Sequence, residues 1–259
     1  MSRARATAIA VVAVVAAACA GDDDDRGAAT VSSDFTDGAD EWIADLSDYT
    51  AATRPDDFVA ETGVDPPGDV GGDGYFHLGA TNTSDDAFMY LRRQVDRDEI
   101  DPGQAYTVDY DIAVASGAPS GCAGIGGAPG ESVWLEVGAV DVEPVTTTVD
   151  GGERTELVVD KGGQSQAGPD AVVAGVIANG IPCEEALADD EPDFRIVEFA
   201  GSLDQPVTAD ADGSLWLFVG TDSGFEGRTD LYYDRLEFEL RPQSQIGRAS
   251  CRERVCHRV

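Results

Sequence analysis

The chain has 259 residues, with 50 Asp and Glu against 17 Lys and Arg, and a formal net charge of −33. So acidic a surface repels phosphate backbones, which excludes nucleic acid as a partner and disfavours anionic polysaccharides unless divalent cations bridge the two. The length supplies one sizeable core, and two histidines among 259 residues leave little for zinc or histidine-based chemistry.

The first element is a leader. Residues 1–18 place Arg3 and Arg5 ahead of an apolar run too short to span a membrane, which is the pattern of a secretory signal. Residues 19–33, opening CAGDDDDRG, have no apolar periodicity and read as an acidic flexible tether. The four aspartates of that run are more simply a hydrated stretch than a metal site.

At the other end, residues 242–259 read as a non-native or disordered tail. The segment 246–255, IGRASCRERV, resembles the translation of a sequencing adapter, and it is basic where the chain before it is acidic. It is excluded from fold reasoning. Setting aside +2 from the leader and +3 from residues 246–259 leaves −38 on residues 19–245.

The ordered domain is expected over residues 34–241. Phe35 and Trp42 are burial anchors on either side of the turn Thr36-Asp37-Gly38, and the Pro/Gly-rich stretch 56–73 is an irregular excursion. Strands are predicted over 75–80 and 87–95, separated by a turn at 81–86. Residues 104–116 give the clearest strand: Tyr106, Val108, Tyr110, Ile112 and Val114 alternate with Thr107, Asp109, Asp111 and Ala113. That period of two is a half-buried antiparallel strand.

Further strands are predicted over 132–140, 154–160, 194–199, 215–219 and 231–240, with 171–177 open between helix and strand and 184–190 a brief helical turn. Within 231–240, Leu231 and Tyr233 share one parity and Leu236, Phe238 and Leu240 the other. One strand buries both sets only with a bulge or a change of partner near Asp234-Arg235. The fold class is therefore all-β: an antiparallel β-sandwich with long loops and little helix.

Three resemblances add to this reading. Ala16-Ala17-Ala18-Cys19 resembles the lipobox of bacterial lipoproteins, which implies lipid on Cys19 and an extracytoplasmic, membrane-anchored location. With Cys19 so used, and Cys251 and Cys256 in the excluded tail, Cys122 and Cys183 remain as a predicted disulfide in an oxidising compartment. DFTDGADEW, DPGQAYTVDYDI and LYYDRLEFEL resemble the carbohydrate-binding jelly rolls of galactose-binding-like fold. SDDAFMYLRR, GGAPGESVWLEVGA, DKGGQSQ and GTDSGFEGRTDLYYD resemble motifs of bacterial secreted proteins and lipoproteins, a resemblance that implies no activity.

The jelly-roll resemblance implies a structural calcium, which here falls on Asp34, Asp37 and Asp234. Such an ion takes six to eight oxygens, so backbone carbonyls must supply most of them. For a ligand, the loop 222–230 offers Asp222, Phe225, Glu226 and Asp230, with Asp85 and Asp86 expected nearby: an aromatic face among polar groups suits a sugar. Trp134, Trp216, Tyr232 and Tyr233 read as core, and Lys161 stands out only as the single lysine.

Catalytic patterns are poor. Asp222-Ser223-Gly224 lacks the second glycine of a serine nucleophile segment, Gly124-Ile125-Gly126-Gly127 fails the dinucleotide fingerprint, and nothing singles out one pair among so many carboxylates. The expectation is a lipid-anchored envelope protein that binds a glycan or another envelope ligand without catalysis. The alternatives are a surface structural or assembly component that binds protein, and a hydrolase of glycans or esters.

Overall fold

The structure is a computed structural model that describes residues 27–243 except 69, 85, 189 and 190. The leader, the lipidation expected at Cys19, residues 244–259 and Asp85 all lie outside the described residues. The tail expected from 242 begins later, because the last strand runs through Pro242 and Gln243 N–H donates to Ala105 C=O.

The first strands are β1 (Ala29–Ser33), β2 (Ile43–Ser47), β3 (Tyr49–Thr50), β4 (Val59–Thr62), β5 (Phe76–Thr81) and β6 (Ala87–Gln94). The middle of the chain forms β7 (Ala105–Ser116), β8 (Val133–Val140), β9 (Thr146–Val149), β10 (Arg154–Leu157), β11 (Gly162–Gly163), β12 (Gln166–Ala167) and β13 (Ala171–Val176). A short helix, α1 (Cys183–Ala186), precedes β14 (Arg195–Ser202), β15 (Val207–Thr208), β16 (Trp216–Ser223) and β17 (Arg228–Pro242).

Two antiparallel sheets make the sandwich. One runs β14-β7-β17-β5-β4, with β1 joining β17 and β15 joining β7; the other runs β13-β8-β16-β6-β2. Ile112, Leu236 and Phe238 from the first sheet and Leu91, Leu135 and Val219 from the second belong to one buried core. Strand β7 behaves as its alternation predicts, burying Tyr106, Val108 and Ile112 while Thr107 and Asp111 stay exposed.

The parity break in β17 has both of its predicted causes at once. The register slips by one residue between Tyr233 and Arg235, and the strand changes neighbour there: β5 pairs with 228–233 and β1 with 236–240. The bulge lets Leu231, Tyr233, Leu236, Phe238 and Leu240 all reach the core.

Three expectations need correction. The tether does not extend to 33, because Ala29–Ser33 forms a five-residue ladder with β17 and buries Ala29, Val31 and Ser33. The loop 222–230 is shorter than expected, because β16 continues through Ser223 and β17 begins at Arg228. The predicted strand 154–160 is not part of the sandwich.

Residues of that last segment instead form a strap. β3, β10 and β9 make a separate three-stranded sheet, and β11 and β12 a two-stranded ribbon. Leu157 and Val159 pack with Phe88, Tyr90 and Phe218 on the outer face of the five-stranded sheet. The strap therefore closes a sheet face that would otherwise expose aromatic rings to water.

Candidate functional site: an aromatic cleft and a buried ionic cluster

The residues expected to form one ligand site divide between two places. Phe225 and Asp230 line a cleft of about 250 Å³, together with Phe194, Arg228 and Thr229. Asp222 and Asp86 belong to a different site on the outer face of the five-stranded sheet.

The cleft is built from loops fastened at several points. Cys122 and Cys183 are joined by a disulfide, with Cα atoms 5.0 Å apart, and this ties the 117–131 loop to the 177–194 segment. Backbone bonds from Ser120 N–H to Ile181 C=O and from Cys183 N–H to Ser120 C=O continue the seam. The Asn179 amide donates to the carbonyls of Ser116 and Asp193, which fixes the approach to Phe194.

On the opposite side, the turn 224–227 is bonded to its neighbours. Gly224 N–H donates to Ser132 C=O and Glu226 N–H to Ile125 C=O, each at 2.8 Å. The Asn82 side chain donates to the carbonyls of Ser223 and Phe225. The Phe225 ring lies against Gly124 and Gly227, where a Cβ would collide with it at 2.5 and 2.3 Å. The ring stays partly exposed to solvent. Glu226 is half-buried, serves the turn through its backbone, and does not line the cleft.

Asp230 is the anchored polar group. His77 Nε2 donates to its carboxylate at 2.8 Å, and Arg228 Nε donates at 2.8 Å. The His77 ring stacks on Tyr232 at 4.3 Å. Burial opposes ionisation of Asp230, but the hydrogen bonds and charges of His77 and Arg228 outweigh it and hold the group at about 2. Arg228 in turn donates to Asp57, so its guanidinium is set in the cleft wall.

The second site centres on Lys161. Its ammonium contacts Asp222, stands 3.1 Å from Asp48 and 3.8 Å from Glu136, and sits 4.6 Å from the centre of the Phe88 ring. The strands explain the convergence: Asp222 pairs with Phe88 of β6 and Trp134 of β8, and Glu136 lies opposite Gly220. A Cβ at Gly220 would collide with the Met89 carbonyl, Tyr90 and the Phe88 ring, so the glycine lets β6 and its aromatic rings pack close to β16.

Both Glu136 and Asp222 are fully buried. Burial pushes Glu136 up to about 8, Lys161 pulls the other way, and the charges of Asp222 and Asp48 push further upward. Burial also raises Asp48. For Lys161, desolvation would favour the neutral amine, but Asp222, Asp48 and Glu136 outweigh it and lift the group above its ordinary value. At the rim, Asp86 is bonded to Arg154 at 2.5 Å; burial and the charge of Asp48 push its carboxyl up to about 6.

Sequence reasoning missed Lys161, Asp48 and Glu136 as partners of Asp222. The one available signal was a solitary lysine in a chain that otherwise uses arginine.

The residues expected at a calcium lie apart in character. Asp34 and Asp37 are exposed, and Asp34 accepts the Thr36 N–H at 3.0 Å within its own turn. Asp234 is half-buried at the bulge; burial raises its pKa, and the charges of Asp73 and Asp34 raise it further. Among the described residues, no group of three or more His, Cys, Asp or Glu side chains is arranged to hold a metal ion. An ion near Asp34 and Asp234 would draw most of its ligands from carbonyls and water.

No protein-family model matches the chain, and no curated protein matches it. Among solved structures, the CBM22-1 xylan-binding domain of Paenibacillus barcinonensis is similar at 12% identity and TM-score 0.38, over 85% of this chain and 99% of that one. A mannan-recognising carbohydrate-binding module, TmCBM27, is similar at 12% identity and TM-score 0.34, over 83% and 98%. The enzymatically active domain of a tailspike protein of bacteriophage CBA120 gives 10% identity and TM-score 0.34; this chain spans 19% of its length.

Proposed function

We propose that this chain is a non-catalytic, extracytoplasmic binder of a glycan or another cell-envelope ligand, anchored to the membrane through lipid on Cys19. The cleft of Phe194, Phe225, Arg228, Thr229 and Asp230 is its ligand site.

The observation that carries this reading is the composition of one cleft: a partly exposed aromatic ring facing a bonded Arg–Asp pair, with walls cross-linked by a disulfide. A sugar ring offers an apolar C–H face for stacking and hydroxyls that both donate and accept. Phe225 meets the first need, and Arg228, Thr229 and Asp230 the second. Because Asp230 keeps its charge and the chain is strongly acidic, a neutral sugar fits better than an anionic one.

The test is a glycan array and polysaccharide pull-down with the full chain, with and without chelator, comparing wild type with Phe225→Ala. Binding that weakens in the variant supports the reading. The absence of any carbohydrate binding by the folded wild type overturns it.

A further inference from the structure

The buried cluster around Lys161 plays no part in the cleft, and its chemistry is unusual for a salt bridge. Three carboxylates, Asp48, Glu136 and Asp222, face one ammonium; Glu136 and Asp222 have no exposure, and Asp48 and Lys161 line the floor of a cavity of about 330 Å³. Asp222 Oδ1 and Glu136 Oε1 are buried with no hydrogen-bond partner among the described residues. Burying a carboxylate without full pairing is costly, and a salt bridge alone needs only one of these acids.

We propose that Lys161 and Asp222 condense into an intramolecular isopeptide bond, with Glu136 as the proton-transfer residue. The geometry brings together everything the reaction uses: an amine in contact with a carboxyl, a buried acid 3.8 Å from the nitrogen, and the Phe88 ring as an apolar wall 4.6 Å away. Two groups held in this way react as though at very high concentration, with effective molarities of about 10⁵–10⁸ M for well-oriented pairs.

The step balances without oxidant or cofactor. A proton passes from Lys161 Nζ to Asp222 along their contact, which turns an ammonium and a carboxylate into an amine and a carboxylic acid. The surrounding carboxylates hold the lysine charged, so the neutral pair is the minor species, and it is the one that reacts. The amine lone pair attacks Asp222 Cγ, forming the C–N bond and moving the carbonyl electrons onto oxygen. Glu136, kept protonated by its burial, gives its proton to the departing hydroxyl. The C–O bond breaks, water leaves, and Glu136 recovers a proton from the nitrogen. The product is a neutral amide and one water.

The bond joins the strap, just before β11, to the central strand of the five-stranded sheet. It removes one positive and one negative charge from the interior and leaves an amide N–H beside Asp48 and Glu136. This inference stands independently of the glycan reading, since the cleft contains neither Lys161 nor Asp222.

Intact-mass spectrometry of the folded full chain tests it. After reduction of the disulfide, the wild type is expected to be lighter by one water than its residues and any processing at Cys19 account for. Trypsin is expected to spare Lys161, and the digest to contain the Lys161 and Asp222 peptides joined. Glu136→Ala and Lys161→Arg are expected to show the full mass, the second retaining a cation among the carboxylates. In denaturant, the single ε-amine of the wild type is expected to resist acetylation. A folded wild-type chain at full mass with a reactive ε-amine overturns the proposal, as does a loss of water mapped to any other pair of residues.

Discussion

Glu136 Oε2 lies 3.8 Å from Lys161 Nζ, and the glutamate beneath that lysine has no solvent exposure at all. A carboxyl so placed binds its proton more tightly in the folded chain than in the unfolded one, where its value is 4.5. Between 4.5 and about 8 the folded state therefore carries the extra proton. Stability is expected to fall as pH rises through that window and then to level off. Asp86 adds a smaller loss of the same sign between 3.8 and about 6, reduced by its partial exposure. Denaturant midpoints measured from pH 5 to 9 check this: Glu136→Gln should flatten most of the slope, and an unchanged slope would refute the assignment.

Acid behaviour runs the opposite way at Asp230. Its folded value of about 2 lies below the ordinary 3.8, so its contribution is present above 3.8 and is lost as pH falls towards 2. Asp230→Asn should remove that loss, measured as the pH dependence of the melting midpoint below pH 4. The same variant should also weaken any glycan that binds the cleft.

In the cleft, Phe225→Ala is expected to lower glycan affinity about tenfold, or about 1.4 kcal/mol, by isothermal titration. The fold should tolerate the change better than most core truncations, because the ring is partly exposed and the turn around it is held by backbone bonds. Equal affinity in the variant and the wild type would move the binding site elsewhere.

What the sequence reveals here follows from the range of its signals. Alternation over 106–114 and the parity break at Asp234 are local, and both describe the structure correctly. The cleft was half legible, since Phe225 and Asp230 sit in a polar, glycine-bearing turn, whereas Phe194 reaches it from a distant segment. Asp222 lies beyond the apolar run, which stops at Val219; its strand continues through Gly220 and Thr221, and its charge is balanced by Lys161, far away in sequence. Strand β1 was hidden by its small side chains, since ATVSS alternates but carries little hydrophobic weight next to an acidic run. Pairing at long sequence separation leaves no local trace in either case.

Reducing the Cys122–Cys183 bond should cost roughly 4 kcal/mol of stability for a loop of this length. The bond closes a separation of 61 residues and holds two walls of the cleft together. Paired Cys122→Ser and Cys183→Ser substitutions should lower the melting midpoint and loosen ligand binding together. Retained affinity in a destabilised variant would separate the disulfide from the site.

The calcium expected near Asp34 and Asp234 has a direct thermal test. If an ion binds there, chelator should lower the melting midpoint of the wild type and leave that of Asp234→Asn unchanged. Identical curves with and without chelator would remove calcium from the account.

Among the described residues, strand β1 is the sole neighbour of the distal half of β17 on that side, over five paired residues from Ala29↔Leu240 to Ser33↔Leu236. A protease that clips the chain just after residue 33 would strip those backbone groups of their partners and leave a raw sheet margin. Such a margin accepts a strand from any neighbour, including a second clipped copy. Cleavage in this segment would thus do more than shorten the chain, since where the cut falls decides whether the remaining domain keeps a covered edge or begins to associate.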